Sequence, residues 1–478
     1  MVRGRGSTYL LLFASLFLQA CQFVAEQKLS SDSSTLRRPN VLIILSDDQR
    51  YDTMDYMPRT VARIFKEGIS FPNAYVTTSE CCPSRSSILT GLYAHNHGVR
   101  TNEDPLMKET FVQRLKKSGY YTGQVEKYLN SWEGSARPEF DFWVAFGGGA
   151  HRYNDPRLNV NGTWKDHKGY ITHILRDYAL EFFERAARQE TPFILLFAPN
   201  APHFSTAGRS RENPTPPPDP APGDEKLYAN LAPHRPPNFN EADVSDKPHW
   251  LMSLPPLGSD EISKIDTYRL RQIQSLNSLD QAIESLLNAL VKEGKLDDTL
   301  VIYLSDNGDS WGEHRRPGGK NAAYEESSHV PFAVRYPRLT GKPRVDSRLV
   351  ANIDIAPTIY ELARIPVPDV DGRSLLALFN RNKASGTRPT EWREELLIEG
   401  WPEGGRFARG KRAPFMAIHT ICYVYVETDG DRSELYDMTK DPYQLRNEVE
   451  NPAYAPIVSD LKARLNRMRA APVGASRR

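Results

Sequence analysis

The sequence predicts an α/β fold, with a largely parallel central sheet flanked by helices and a smaller C-terminal domain built from an antiparallel sheet and a helix. Three observations carry this. Continuous apolar runs occur at 41–45, 193–197 and 300–304, as strands buried on both faces require. Amphipathic helical patterns precede the second and third runs: Ile171, Ile174, Leu175, Tyr178, Phe182 and Phe183 share one face, and Ile273, Leu276, Leu279, Ile283, Leu286 and Leu290 share another. Helix and apolar strand in alternation make a sandwich around a mainly parallel sheet.

The elements follow in order. Residues 1–25 read as an export signal: Arg3 and Arg5 precede an apolar run at 9–20, too short to span a bilayer comfortably. Cys21 follows in "LQAC", which loosely resembles a bacterial lipobox. A lipid anchor at Cys21 and a cleaved soluble signal are therefore both expectations, and the chain is expected to be secreted, periplasmic or a cell-surface lipoprotein. The main domain is expected over 38–370. Within it, 205–256 reads as a long surface excursion, because "NPTPPPDPAPGD" cannot continue a helix or a central strand. The smaller domain is expected over 371–478. Its "MAIHTICYVYVETDGDRSELYDM" reads as two strands around a turn at Asp429 and Gly430, and "IVSDLKARLNRMRA" as a terminal helix.

Composition narrows the function. Among 478 residues, Lys+Arg 61 nearly cancels Asp+Glu 60, so no global field favours nucleic acid or a membrane surface. An anionic substrate would have to be selected locally. After export, Cys81, Cys82 and Cys422 remain, an odd number that makes no disulfide framework.

The polar clusters share a position. Asp47 and Asp48, His203, and Asp306 and Asn307 each follow an apolar strand. In open α/β sheets ligands bind beyond the carboxyl ends of strands, so three distant segments would meet at one edge. The stretch "SECCPSRSSILTG" at 79–91 raises a further question. Adjacent cysteines bridge only in a strained ring, and their spacing is wrong for a zinc knuckle. A thiolate can attack an acyl or phosphoryl centre, yet nothing near Cys81 resembles a Cys/His pair. What remains is Cys81, Pro83 and Arg85 in a Cys-x-Pro-x-Arg arrangement, followed by a helix with Ser84 as its expected cap.

Here the sequence resembles the sulfatase family, over almost the whole chain. The signature C-x-P-S-R-x-x-x-L-T-G is matched by Cys81, Pro83, Ser84, Arg85, Leu89, Thr90 and Gly91, a motif long enough to be specific. The resemblance implies an alkaline phosphatase-like sandwich. It implies that Cys81 is converted to formylglycine (3-oxoalanine) by a formylglycine-generating enzyme, with Cys82 at the variable position. A hydrated aldehyde is a geminal diol. One hydroxyl attacks sulfur and displaces the alcohol; the other then loses its proton and expels sulfate, restoring the aldehyde. The resemblance also implies a metal held by Asp47, Asp48, Asp306 and Asn307 together with the residue made from Cys81. Such oxygen ligands suit Ca²⁺, with Mg²⁺ as the alternative, and the ion would polarise the sulfate. Arg85 would hold the formylglycine and its metal. Lys127 in "EKYLN", His203 in "APHF" and Lys320 in "PGGK" match positions that contact the sulfate, whose oxygens need positive partners in the transition state. His314 in "GEHRRPGGK" is a further candidate to face the substrate.

Two positions depart from the pattern. Many sulfatases have Gly-Lys-x-His where this chain has Glu126, Lys127, Tyr128 and Leu129. The histidine that breaks down the sulfated intermediate is thus replaced, and Asn130, His203 and His314 are the candidates to act for it. "KYLN" also occurs in the glucosamine-6-sulfatase branch, which "NFNEADVSDKPHW" and "ELYDMTKDPYQLRN" resemble as well. The expected substrate is a sulfated carbohydrate, with 6-O-sulfate on N-acetylglucosamine foremost, or an aryl sulfate. Two other readings stay open from sequence: a phosphomonoester or phosphonate-ester hydrolase of the same superfamily, and a non-catalytic sulfoglycan-binding protein.

Overall fold

The three apolar runs become neighbouring strands in the middle of one ten-stranded sheet. The computed structural model describes residues 38–379, 392–401 and 413–474; the expected export signal and Cys21 lie outside the described residues. In chain order the strands are β1 (Asn40–Ser46), β2 (Ile69–Ser70), β3 (Ala74–Tyr75), β4 (Tyr121–Glu126), β5 (Phe142–Ala145), β6 (Arg157–Val160), β7 (Thr163–Asp166), β8 (Phe193–Ala198), β9 (Thr299–Ser305), β10 (Phe332–Arg335), β11 (Arg344–Val345) and β12 (Val350–Ala351). The large sheet runs β11-β2-β10-β9-β1-β8-β4-β5-β6-β7, and β3 pairs β12 separately. Its centre is parallel: β1 pairs β9 and β8, and β4 pairs β8 and β5. Antiparallel strands flank it, β10 against β9 on one side and β6 against β5 on the other. The centre thus follows the rule that parallel strands are buried on both faces.

Side-chain alternation along β1 shows the two faces. Val41, Ile43 and Leu45 join a core with helices α1 (Cys81–Thr90), α2 (Phe111–Lys117) and α5 (Ile355–Leu362). Leu42 and Ile44 join a second core with α3 (Ile171–Ala187) and α4 (Ser259–Lys292). Each fully buried aliphatic side chain contributes roughly 1.5–3 kcal/mol, so both layers hold the sheet. The predicted faces of α3 and α4 are the ones buried here, including Leu175, Phe182, Leu276, Ile283 and Leu290.

A separate four-stranded antiparallel sheet follows, β13 (Glu395–Gly400), β14 (Phe415–Thr420), β15 (Tyr423–Thr428) and β16 (Glu434–Asp437), in that order. Leu397, Ile418, Tyr425 and Leu435 pack on Leu461 and Leu465 of α6 (Ala455–Ala470). The sequence reading found the β15–β16 turn, where Gly430 takes φ 68°. It missed the turn between β14 and β15, because Ile421 and Cys422 carry no turn-favouring residue; Thr420 Oγ1 stabilises this turn instead, accepting from the N–H of Tyr423 at 2.8 Å.

The excursion 205–256 holds one short helix, His249–Met252, and is otherwise irregular. Asn240 N donates to Gly312 O at 2.8 Å, which ties it to the segment after β9. No helix among the described residues is long and apolar enough to cross a membrane.

Candidate active site

Helix α1 begins at Cys81, three residues before the cap expected from sequence. Pro83 lacks an N–H, but first-turn N–H groups have no intrahelical partner, so proline costs nothing there. Ser84 is therefore inside the helix, and its hydroxyl accepts from Asn352 Nδ2 at 3.0 Å instead of capping. All ten residues of α1 are buried, and Gly91 ends it in the left-handed region at φ 75°, a common glycine C-cap. Cys81 thus stands at the positive end of the helix dipole.

Around its sulfur the structure brings together most of the predicted residues. Ligand atoms of Asp47, Asp48, Cys81 and His203 all lie within 4.8 Å of one another. Lys320 Nζ and Lys127 Nζ donate to Cys81 Sγ at 2.8 and 3.3 Å. Lys127 Nζ also donates to Asp47 Oδ2 at 2.7 Å, and Lys320 pairs with Asp48. The segment bearing Lys320 is fixed to the start of α1, since Asn321 N donates to Ser79 O at 2.7 Å. His203 Nε2 lies 3.6 Å from Asp48 Oδ2.

The strand ends deliver the rest. Asp47 and Asp48 follow β1, Lys127 follows β4, and Asp306 and Asn307 follow β9, at the carboxyl edge where ligands are expected. Arg85 Nε donates to Asp306 Oδ2 at 2.7 Å, and Nη1 to Lys127 O at 2.7 Å. Asp48 N donates to Asp306 Oδ1 at 3.1 Å, and Asn307 Nδ2 to Asp48 Oδ1 at 2.6 Å.

Electrostatics follow from burial and charge. Burial pushes Asp48 and Asp306 up, but Lys320 beside Asp48 and Arg85 beside Asp306 hold both carboxyls below the ordinary range. Burial pushes the Cys81 thiol well up, against the pull of Lys127 and Lys320. An unmodified Cys81 is therefore a poor thiolate nucleophile. Burial holds His203 below the usual imidazole range, despite Asp47 and Asp48.

At the centre of this cluster, Asn307 Oδ1 and Arg85 Nη2 are buried without a hydrogen bond among the described residues. Buried polar groups are normally satisfied, so the amide oxygen beside Asp48 is a place for a cation, and the Arg85 Nη2 N–H, which has only an ion pair to Asp47 Oδ2 at 3.8 Å, is a place for an anion oxygen. The donor set of Asp47, Asp48, Asp306 and Asn307 fits a hard divalent ion.

The remaining predicted residue is placed elsewhere. His314 is fully buried, and its Nδ1 pairs with Glu241 Oε2 at 2.6 Å while Nε2 faces Asn238 Nδ2 at 3.3 Å. Both partners belong to the excursion, a long-range contact that local sequence does not reveal. Leu129, at the position of the missing histidine, packs in the apolar core, and Asn130, the other candidate base, gives its N–H to Cys82 Sγ at 2.9 Å.

Three features of the site lie beyond what the sequence showed: the role of Asp309, the burial of the Glu126 carboxylate, and the contact of Phe204 with His203. Asp309 Oδ1 accepts from Gly319 N at 2.8 Å and Ser310 N at 2.9 Å, so it positions the turn that carries Lys320. Burial and the neighbouring Asp48 push this carboxyl up to about 6. Its only sequence signal is the acid two residues after Asn307. Glu126 takes φ 85°, and both its carboxylate oxygens are buried without a hydrogen bond among the described residues; burial, then Asp47, pushes it well up. The Phe204 ring lies tilted against His203, with ring centroids 4.1 Å apart.

Comparison with known proteins agrees with this geometry. The family model "Sulfatase" matches residues 39–365, and "N-sulphoglucosamine sulphohydrolase, C-terminal" matches 312–471. An extracellular sulfatase homologue of Caenorhabditis elegans is 35% identical over 420 residues, covering 83% of this chain and 56% of that protein. Human N-acetylglucosamine-6-sulfatase is 32% identical over 405 residues, covering 77% of this chain and 68% of that protein. The chain thus spans little more than half the length of the nematode relative. A protein solved with its substrate D-glucosamine-2-N,6-O-disulfate shares the fold, with TM-score 0.76 and 24% identity over 91% of this chain and 98% of that one. With the signature residues gathered at one sheet edge and the family model covering most of its length, the chain belongs to the sulfatase family.

Proposed function

We propose that this protein hydrolyses sulfate monoesters, with 6-O-sulfate on N-acetylglucosamine residues of glycans as the substrate class. The observation that carries the reading is the seat of Cys81 Sγ, between two lysine Nζ atoms and within reach of Asp47, Asp48 and His203. Among the described residues no other cysteine has such surroundings, for Cys82 faces the apolar core and Cys422 is exposed.

In this reading Cys81 is converted to formylglycine, whose hydrated aldehyde supplies the attacking hydroxyl. A divalent cation, Ca²⁺ or Mg²⁺, held by Asp47, Asp48, Asp306 and Asn307, would polarise the sulfate when bound. The side chains do the rest. Lys127 and Lys320 place two ammonium groups where sulfate oxygens gather charge. Arg85 keeps Asp306 oriented and offers Nη2, which makes no hydrogen bond among the described residues, to an oxygen at residue 81. His203, held neutral by burial, can take a proton at Nε2, since its Nδ1 faces Phe204 O at 3.1 Å. It is the imidazole in contact range of the cluster and the best-placed substitute for the absent second-motif histidine. Names of relatives that refer to extracellular sulfatases support export.

A parallel measurement of kcat/KM on an aryl sulfate and an aryl phosphate tests the reaction class. Preference for sulfate is expected. Dominant phosphate turnover would assign the protein to the ester hydrolases that share this arrangement. Binding of a sulfated sugar with no release of sulfate from protein modified at Cys81 would make it a binding protein.

A further inference from the structure

Beyond His203 the chain builds a cationic lip. Phe204, half-buried, forms the wall beside the imidazole. The Arg209 guanidinium lies 5.7 Å over the Phe204 ring. The loop closes on itself, with Ser205 N donating to Pro216 O at 2.9 Å and Ser210 N to Asn213 O at 3.0 Å. Thr206 N donates to His151 O at 3.2 Å, which brings Arg152 to the same lip. Arg211 follows two residues after Arg209 in the same loop, and Arg152, Arg209 and Arg211 are all exposed. The acid within this loop is Glu212, bonded by Ser210 Oγ at 3.1 Å; Asp155 nearby pairs with Lys168. Arg152 also faces Asp155, yet three arginines and Lys168 against Glu212 and Asp155 still make a local positive excess in a chain whose formal net charge is only +1.

We propose that this lip binds a second anionic group, a sulfate or carboxylate, on the same glycan whose sulfate ester sits at Cys81. The inference rests on the sulfatase reading above and sharpens it: the preferred substrate is a multiply charged glycan, not a singly sulfated sugar. A guanidinium suits either oxyanion because its planar fork meets two oxygens at once. Phe204 lies between the lip and the reacting centre, its ring tilted against His203 on one side and under Arg209 on the other. A neutral sugar would gain nothing from the arginines, so charge on the glycan is what they select.

The test uses the full chain with Cys81 modified, and the double variant Arg209→Ala/Arg211→Ala. kcat/KM is measured on an aryl sulfate, on N-acetylglucosamine 6-sulfate, on glucosamine bearing N- and 6-sulfates, and on a disaccharide joining N-acetylglucosamine 6-sulfate to a uronate. Relative to the aryl sulfate, the double variant should lose about tenfold on a doubly charged substrate, as two exposed charge contacts allow. Which doubly charged sugar is affected identifies sulfate or carboxylate as the bound group. The loss should shrink towards nothing near about 0.5 M salt. Equal ratios in both proteins would overturn the proposal, whereas absent aryl-sulfate turnover by the parent protein would overturn the sulfatase reading instead. In that case elution from immobilised dextran sulfate still decides on the lip. The double variant should elute at lower salt than Lys116→Ala/Lys117→Ala, which removes two charges near the amino end of β4. Equal elution would contradict the lip.

Discussion

The carboxyl edge of the large sheet and the α6 face of the small sheet are built on opposite terms. At the edge, Asp47, Asp48, Arg85, Lys127 and Asp306 are buried together, and Arg85 Nη2 and Asn307 Oδ1 are left without hydrogen bonds among the described residues. Under α6, Leu397, Ile418, Leu435, Leu461 and Leu465 fill an apolar layer. Burying ion pairs costs desolvation that their attraction only partly returns, whereas apolar burial stabilises directly. The difference teaches that the edge is retained for chemistry and the face for stability. Substitutions should therefore separate the two.

The largest effect is expected at Cys81. Cys81→Ala should lower kcat on aryl sulfate by about 10⁴ or more, as loss of a nucleophile does, with a thermal midpoint close to that of the parent. Lys320→Ala should cost roughly 10²–10³ in kcat, the scale of a lost transition-state charge partner, read from steady-state kinetics. The small sheet should answer in the opposite way. Leu465→Ala should cost about 2–5 kcal/mol of stability in denaturant titrations while kcat/KM stays within about twofold.

A pH series sharpens the comparison at a site between the two. Burial holds the His97 imidazole down, to about 3. Its Nδ1 accepts from Val99 N at 3.0 Å, and Ser87 Oγ of α1 lies 3.0 Å from its Nε2. The folded state keeps it neutral where the unfolded chain, with an ordinary value near 6.5, takes up a proton. Its contribution is thus full above about pH 6.5 and is lost as pH falls towards the folded value. Between about pH 6.5 and 5 the loss should be about 2 kcal/mol, and His97→Gln should flatten that slope. The smallest effect is expected at Cys82, whose replacement by Ala should cost about 1 kcal/mol of stability and little activity. Equal loss of turnover at Cys81 and Cys82 would erase the distinction between edge and core.

The sequence is most legible where one physical demand acts alone. The apolar runs of β1, β8 and β9 could only be strands buried on both faces, and the polar pairs after them marked the edge. β4 escaped notice because "YTGQVE" places Thr122, Gln124 and Glu126 in a buried strand, against the usual apolar pattern. β13 and the first turn of the small sheet were likewise silent, since no glycine or proline punctuates Ile421 and Cys422. The start of α1 was misread because a proline in a first turn looks like a boundary. At the site, residues named by motif converge on Cys81, but His314 does not, because Glu241 and Asn238 from a distant irregular segment capture it. Glu126 was visible as a departure, though its unpartnered, buried carboxyl was not.

The central claim concerns the chemical state of one side chain, and the mass of the peptide containing Cys81 tests it most directly. Protein from a host that makes formylglycine should show that peptide about 18 Da lighter than its thiol form, a change outside the ordinary oxidation ladder of cysteine, and turnover should scale with the modified fraction. An unmodified thiol in protein that cleaves aryl sulfate at full rate would contradict the account.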